Sequence, residues 1–322
     1  MSPEVVCVGS AIVDVLVRVD EEFIGSAGLD KGAMRLVDAD EAKRLYAALT
    51  DAVEQSGGGA ANTAVIIAKL GGDVSFIGRV ADDALGAAFT EDIRRVGVHF
   101  EPPPAMELPA TAHCTILITP DGERTMNTFL GACSLLSPAD LDESALRAAA
   151  VTYVEGFLWD APHGKEAVLA AVDIAKSAGR KVALALNDPY CVDRHRAEFL
   201  DVLDGRVDLV FGNESEACAV FETHDLEEAT RRLGELVPLV ATTRSEKGSV
   251  LVVDGVRVEV PGVPVDRLVD TTGAGDAYAG GFLYGLTHGY EPAACAALGS
   301  ACASETIQHV GARPAADLKT LL

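Results

Sequence analysis

Phosphoryl-transfer chemistry can be read most directly from one run, Asp270-Thr271-Thr272-Gly273-Ala274-Gly275-Asp276. An apolar, strand-like stretch over 263–269 precedes it, and an Ala/Gly-rich helix over 274–286 follows. Gly273 and Gly275 permit close backbone approach and φ values that other residues avoid. The free amides of a helix start point outward, and the helix dipole favours an anion there. Asp276 stands at that same end. Amides that hold a moving anionic group, beside a carboxylate that can take a hydroxyl proton, are the parts such transfer needs. A plainer reading exists: Gly-x-Gly opens many helices, and Asp in a first turn compensates the dipole. Two rival nucleotide signatures are missing. No G-x-x-x-x-G-K-[ST] occurs, and the run does not lie in an early βαβ unit with an acidic residue ~20 positions on.

Other residues invite the same double reading. Asp14 interrupts the apolar stretch 11–17, and a carboxylate buried there without a partner is costly. It is either a turn or strand-edge charge or a ligand group. Gly57, Gly58 and Gly59 precede an Ala-rich helix that contains Asn62 and ends at Gly71-Gly72. They are a linker or a backbone binding loop. Asn213 and Glu216 have the spacing of a capping box. Pro120-Asp121-Gly122-Glu123 is a turn between strands over 111–119 and 124–129, so Arg124 opens the second strand. On pattern alone Arg124 is a solvated hairpin residue. Gly156-Phe157-Leu158-Trp159 falls at the carboxyl end of a strand over 151–155, where open α/β sheets bind ligands. Its aromatics cover the sheet edge or stack on a ring.

The heptad resembles the carboxy-terminal signature of the ribokinase family (phosphofructokinase-B type), whose members phosphorylate sugars and nucleosides. Further segments resemble that family in order. They are Gly9-Ser10-x-x-x-Asp14, with Ser10 where nucleoside kinases usually carry Asn; Gly57-Gly58-x-x-x-Asn62; Gly78-Arg79-Val80-Ala81-Asp82-Asp83-x-x-Gly86, with Ala81 for Gly; Asn213-x-x-Glu216; and Thr243-x-Ser245-x-x-Gly248, with Ser245 for Gly. The resemblance runs from Gly9 to Pro314. It implies Asp276 as catalytic base, Gly273, Ala274 and Gly275 as the anion hole, and Arg124 approaching the phosphates from a lid. Asp14, Gly57, Gly58 and Asn62 would hold the acceptor, with Phe157 and Trp159 near a base. Asn213, Thr243, Gly248, Thr272 and Gly275 would line the ATP site, and 307–314 would close it. Glu216 would support Mg²⁺ through water, and Asp270 and Thr272 would border a monovalent cation such as K⁺. The segments 124–132 and 153–157 resemble those of adenosine-phosphorylating members. The implied activity is ATP-dependent transfer to the 5′-hydroxyl of a nucleoside, adenosine first; the alternative is a ribose-type sugar kinase.

Architecture follows from the elements that must position these residues. Strands over 4–9, 74–77, 151–155, 181–186, 207–211 and 236–243 alternate with helices over 38–53, 59–70, 83–96, 138–149, 164–178 and 194–203. Such alternation predicts a parallel sheet. A hairpin over 249–260 and helices over 274–286 and 292–306 complete the chain. The expected fold is α/β and ribokinase-like: a Rossmann-like parallel sheet flanked by helices, one domain over 1–322, with a small β lid from 13–37 and 108–131. The 322 residues are 49% hydrophobic and 23% charged, which is globular composition. The net charge of −23 argues against nucleic acid and anionic membranes as partners. No apolar run is long enough for a membrane span, and no signal peptide opens the chain. Seven scattered cysteines without C-x-x-C suggest reduced thiols in a cytoplasm. The expected state is a monomer or homodimer acting on small molecules.

Overall fold

The computed structural model describes residues 3–102 and 109–322. Residue 108, at the edge of the expected lid segment, lies outside them. The amino half runs β1 (Val5–Val8), β2 (Ile12–Arg18), α1 (Glu21–Ser26), β3 (Met34–Leu36), α2 (Ala39–Ala47), β4 (Val53–Gly57), α3 (Gly59–Leu70) and β5 (Val74–Ile77). It continues with α4 (Ala84–Arg95), β6 (His99–Phe100), β7 (Ala112–Ile118) and β8 (Arg124–Phe129). The carboxyl half alternates through α5 (Glu143–Ala148), β9 (Val151–Glu155), α6 (Pro162–Ser177), β10 (Lys181–Ala185), α7 (Pro189–Arg206), β11 (Leu209–Asn213) and α8 (Glu214–Val220). Then come α9 (Leu226–Leu236), β12 (Leu239–Thr243), β13 (Ser249–Val253), β14 (Val256–Val260), α10 (Ala274–Thr287) and α11 (Pro292–Thr306).

Among the described residues, nine strands form one sheet in the order β14-β13-β12-β11-β10-β9-β1-β5-β6. It is parallel except where the β13 hairpin runs back against β12 and β14. β1 is Val-Val-Cys-Val and wholly buried, as a central strand covered on both faces must be. Helices α3, α4, α10 and α11 cover one face, with Phe89, Ile93, Phe282 and Leu283 in the core between. Helices α5 to α9 cover the other face around Val168, Val192, Phe199 and Leu233.

A second sheet has the order β3-β8-β7-β2-β4. Side chains of paired residues share a face. Asp14 pairs with Cys114, Cys114 with Thr128, and Ile118 with Arg124, so Asp14 and Arg124 lie on the same face of this sheet. Three expectations are corrected here. The helix over 38–53 ends at Ala47; Asp51 turns the chain with φ 57, and Val53–Gly57 pairs with β2 instead. The sheet therefore draws on a third segment, whose first residue lay in the expected helix and whose last lay in the expected linker or loop. The helix over 138–149 splits into a turn of 3₁₀ helix at Pro138–Asp140 and the short α5. The run 263–269 is not a strand: it pairs with no strand among the described residues, and Pro264 interrupts it.

Glycines set how closely the helices approach. A Cβ on Gly280 of α10 would lie 2.5 Å from Ile66 of α3, and one on Gly281 would lie 2.9 Å from Gly299 of α11. Such distances are far inside van der Waals contact, so α10 touches both neighbours backbone to side chain or backbone to backbone. Gly280→Ala is expected to push α10 off α3, cost about 1–3 kcal/mol by overpacking, and lower the melting temperature by several degrees. Gly25→Ala, at an open position on α1, serves as the control and should melt like the parent.

Candidate active site

Gly273 caps α10 in the left-handed region, with φ 75. A Cβ there would sit 2.6 Å from the Ala312 methyl, so the position excludes every other residue. Ala274 N donates to Thr271 O at 3.2 Å, while the Gly275 and Asp276 amides that follow have no acceptor among the described residues. Asp276 follows in the same turn. Its Oδ2 accepts a hydrogen bond from Asn62 Nδ2 at 2.9 Å, and its backbone carbonyl accepts one from Thr63 Oγ1 at 3.2 Å. Burial pushes its carboxyl up to about 6, against the opposing pull of the Asn62 bond and the Arg313 cation. The close packing of α10 on α3 is what brings residues 62 and 276 within bonding distance.

Among the described residues, neither Asn62 Oδ1, which is buried, nor the Asp14 carboxylate receives a hydrogen bond. Asp14, half-buried on β2, lies over Gly57: a Cβ on Gly57 would stand 2.5 Å from Asp14 Oδ2. Burial pushes Asp14 up to about 7, with Arg313 and Arg124 pulling it down. Gly58 has φ 99, and a Cβ would strike the Ser10 carbonyl at 2.0 Å. These contacts explain both glycines of the pair, one by side-chain clearance and one by backbone conformation.

Glu155 escaped the sequence reading. It ends β9, is fully buried, and accepts from Ser10 N at 2.7 Å and Ala60 N at 2.8 Å. It thus ties the end of β1 to the first turn of α3, and burial raises it to about 7. A glutamate closing an apolar strand was the available signal. Asn187 was also missed. It has φ 63, and its side chain accepts from Gly156 N at 2.7 Å. Arg313 is the third: it is buried and donates to the carbonyl and hydroxyl of Ser56.

A cleft of about 840 Å³ runs past the start of α10. Gly273, Ala274, Gly275 and Asp276 form part of its wall, joined by Asn213, Glu216, Thr243, Gly248 and Phe157. Asn213 and Glu216 make the capping box in full: Asn213 Oδ1 accepts from Glu216 N at 2.9 Å, and Glu216 Oε2 accepts from Asn213 N at 3.0 Å. Glu216 still faces the cleft, and burial lifts it to about 7. Ser245 adopts φ 52, so it takes the left-handed conformation that the glycine of the motif would supply.

Two expectations change. Trp159 is 2% exposed and stacks on Phe199 at 4.6 Å, within the core on the α7 side of the sheet. It is a packing residue. Phe157, 42% exposed, is the aromatic of that segment that reaches the cleft. Asp270 and Thr272, expected to border a monovalent cation, hold Arg124 instead. Arg124 Nη1 donates to Thr272 Oγ1 at 2.9 Å, and its other arm forms an ion pair with Asp270. Asp270 also accepts from Thr272 N, Thr272 Oγ1 and Gly311 N at 3.0, 2.8 and 2.6 Å. A carboxylate has about four lone-pair sites. All are committed, so this donor set does not fit a bound K⁺.

A family model described as pfkB family carbohydrate kinase matches residues 2–319. The chain belongs to that family and is a phosphotransferase. The structure resembles an adenosine kinase from Sinorhizobium meliloti with a TM-score of 0.92 at 46% identity, over 100% of this chain and 98% of that one. It resembles a probable sugar kinase from Rhizobium etli CFN 42 with the same TM-score of 0.92 at 44% identity, over 99% and 97%. Among curated relatives, the adenosine kinase of Saccharomyces cerevisiae is 28% identical over 334 residues, spanning 97% of this chain and 96% of its own. No helix among the described residues is long and apolar enough to cross a membrane.

The placement of Trp159 has a direct test. Trp159→Ala should cost about 3–5 kcal/mol in a denaturant melt, the usual loss for a buried large aromatic. Trp159→Phe keeps a ring on Phe199 and should leave both substrate KM values within twofold of the parent. A selective rise in acceptor KM for Trp159→Phe would return Trp159 to the binding site.

Proposed function

We propose that this kinase transfers the γ-phosphoryl group of ATP to the 5′-hydroxyl of a nucleoside, with adenosine as the acceptor. The observation that carries the proposal is the position of Asp276. It stands where the open amides of α10 meet the loop of Gly57, Gly58 and Asn62, so one turn of helix serves both the anion and the attacking hydroxyl. Asp276 would take the hydroxyl proton. A carboxyl raised to about 6 is still ionised at neutral pH and is a stronger base than an ordinary aspartate. Gly273, Ala274 and Gly275 would hold the transferring group through backbone N–H donors.

The acceptor's hydroxyls would bind Asp14, Asn62 and the Gly57–Gly58 backbone. Asp14 and the orphaned Asn62 Oδ1 support this, because a buried acceptor without a donor costs stability unless a ligand supplies one. Phe157 would offer its face to the base. Asn213, Thr243, Thr272, Gly248 and Gly275 would line the ATP side. Arg124, held by Asp270 and Thr272 at the head of the heptad, would approach the phosphates. Glu216 would hold Mg²⁺ through water: it is a cleft-facing carboxylate whose two oxygens each accept one hydrogen bond from Asn213, which leaves lone pairs for water. Bound there, the ion would neutralise charge on the phosphate oxygens. We infer a cytoplasmic setting and a place in purine salvage; the seven unpaired cysteines support the first. Adenosine ranks above a sugar because Phe157 reaches the cleft and because of the 46% likeness to the Sinorhizobium enzyme. The likeness to a probable sugar kinase keeps a furanose sugar as the second reading.

Two measurements test this. ATP consumption against adenosine, inosine, guanosine, ribose and fructose 6-phosphate should be fastest with adenosine; turnover of a sugar without adenosine turnover would replace the nucleoside with a sugar. Asp276→Asn should lose about 10²–10⁴ in kcat, the range of general-base catalysis, while ATP still binds. In the parent, kcat/KM should fall as pH drops through about 6, because protonated Asp276 cannot accept a proton. Asparagine caps helices well, so near-normal turnover in that variant would reduce Asp276 to a cap.

A further inference from the structure

We infer that Arg313 is a positioning residue of the reaction: it clamps the Ser56–Gly57 end of β4 beneath Asp14 and is the buried cation on that side of the acceptor site. The inference rests on the kinase reading above and adds a residue to it. Arg313 is 9% exposed. One arm donates to the Ser56 carbonyl at 2.7 Å and to Ser56 Oγ at 2.9 Å. Ser56 Oγ in turn donates to Asp92 of α4, and Ser56 N donates to the same carboxylate at 3.3 Å. The next residue is Gly57, on which Asp14 rests.

The two residues before Arg313 reach the other half of the site. Gly311 N donates to Asp270, and Ala312 packs on Gly273. Three consecutive residues therefore touch the first residue of the heptad, the cap of its helix and the root of the acceptor loop. A guanidinium suits the task because its planar group holds one nitrogen between carbonyl and hydroxyl, which a flexible ammonium does less well.

The electrostatic role follows from what surrounds it. Asp92 of α4, Asp14 of β2 and Asp276 of α10 face Arg313. Asp14 also faces Arg124 and Asp270. Asp276 has Tyr153 and Glu155 of β9 and Glu216 of α8 around it, all neutral or acidic. Arg124 is committed to Asp270, which leaves Arg313 as the cation that acts on Asp276. Arg313 Nε has no acceptor among the described residues, so its burial is costly and is not explained by packing alone.

Steady-state kinetics of the full chain test this with two variants. Arg313→Gln removes the charge. It should raise the acceptor KM about tenfold, the scale of one charged hydrogen bond, with ATP KM within twofold. It should also move the acid limb of kcat/KM upward by about one pH unit, since an adjacent cation lowers a carboxyl by that order. Arg313→Lys restores the charge without the planar group; its acid limb should return towards the parent while acceptor KM stays raised. Should the Gln variant fail to fold, the Lys variant and Ser56→Ala decide: both should raise acceptor KM selectively with the acid limb in place. An unmoved acid limb in a folded Arg313→Gln, or equal rises in both KM values, would overturn the inference. Parent turnover of adenosine decides the substrate separately; if a sugar proves to be the acceptor, the same ratios are measured with that sugar.

Discussion

The contact between α10 and α3 governs the site. Gly280 lies directly against Ile66, and Gly281 lies against Gly299 on the opposite side. With no side chain at Gly280 or Gly281, α10 seats closely on both neighbours, and Ala277 and Tyr284 pack beside that contact. That seating brings Asp276 to Asn62 across 214 positions of sequence. The first-turn amides ride on the same turn as Asp276, so the carboxylate and the amides cannot drift apart. For the proposed reaction, packing between helices would become precision where misplacement costs most.

A chain with net charge −23 buries acidic groups around one centre. Burial raises Asp14, Glu155 and Glu216 to about 7 and Asp276 to about 6. Each therefore binds its proton more tightly folded than unfolded. The stability each contributes is fully present at low pH, below the ordinary carboxylate range, and is lost as pH rises through 6 to 7. At neutral pH these groups oppose folding, and the rest of the fold must offset them. The large cores on the two sheet faces do so, and the Arg313 cation limits the cost locally. Sites that hold reactive groups commonly trade stability in this way.

The two arginines divide the electrostatic work. Arg124 comes from β8 and closes on Asp270, so it links the small sheet to the heptad through an ion pair that phosphate oxygens could replace. Arg313 comes from the carboxyl-terminal segment and is locked to Ser56. The first is partly exposed and the second is buried. One is suited to exchange partners and the other to remain in place.

Short-range patterns in the chain determined much of this protein. Alternating strands and helices specified the parallel sheet, because periodicity and breakers act over a few residues. The heptad specified the tight cap, since Gly273 is needed at φ 75. The spacing Asn213-x-x-Glu216 specified its capping box, and the left-handed Ser245 shows that a turn can outlast its glycine. Tertiary structure decided the rest. Phe157 and Trp159 are two positions apart on one turn, and nothing in their spacing said which faced the cleft; packing on Phe199 took Trp159 into the core. Val53–Gly57 joined the small sheet because β2 offered an edge, although Val53 read as the end of a helix and Gly57 as a linker or loop. Asp270 looked like a cation ligand until Arg124, 146 positions away, filled it. Glu155 and Arg313 gained their roles from partners 95 to 257 positions away. Local sequence sets the conformations each segment can take, whereas buried charge and its partners are chosen only when distant segments meet.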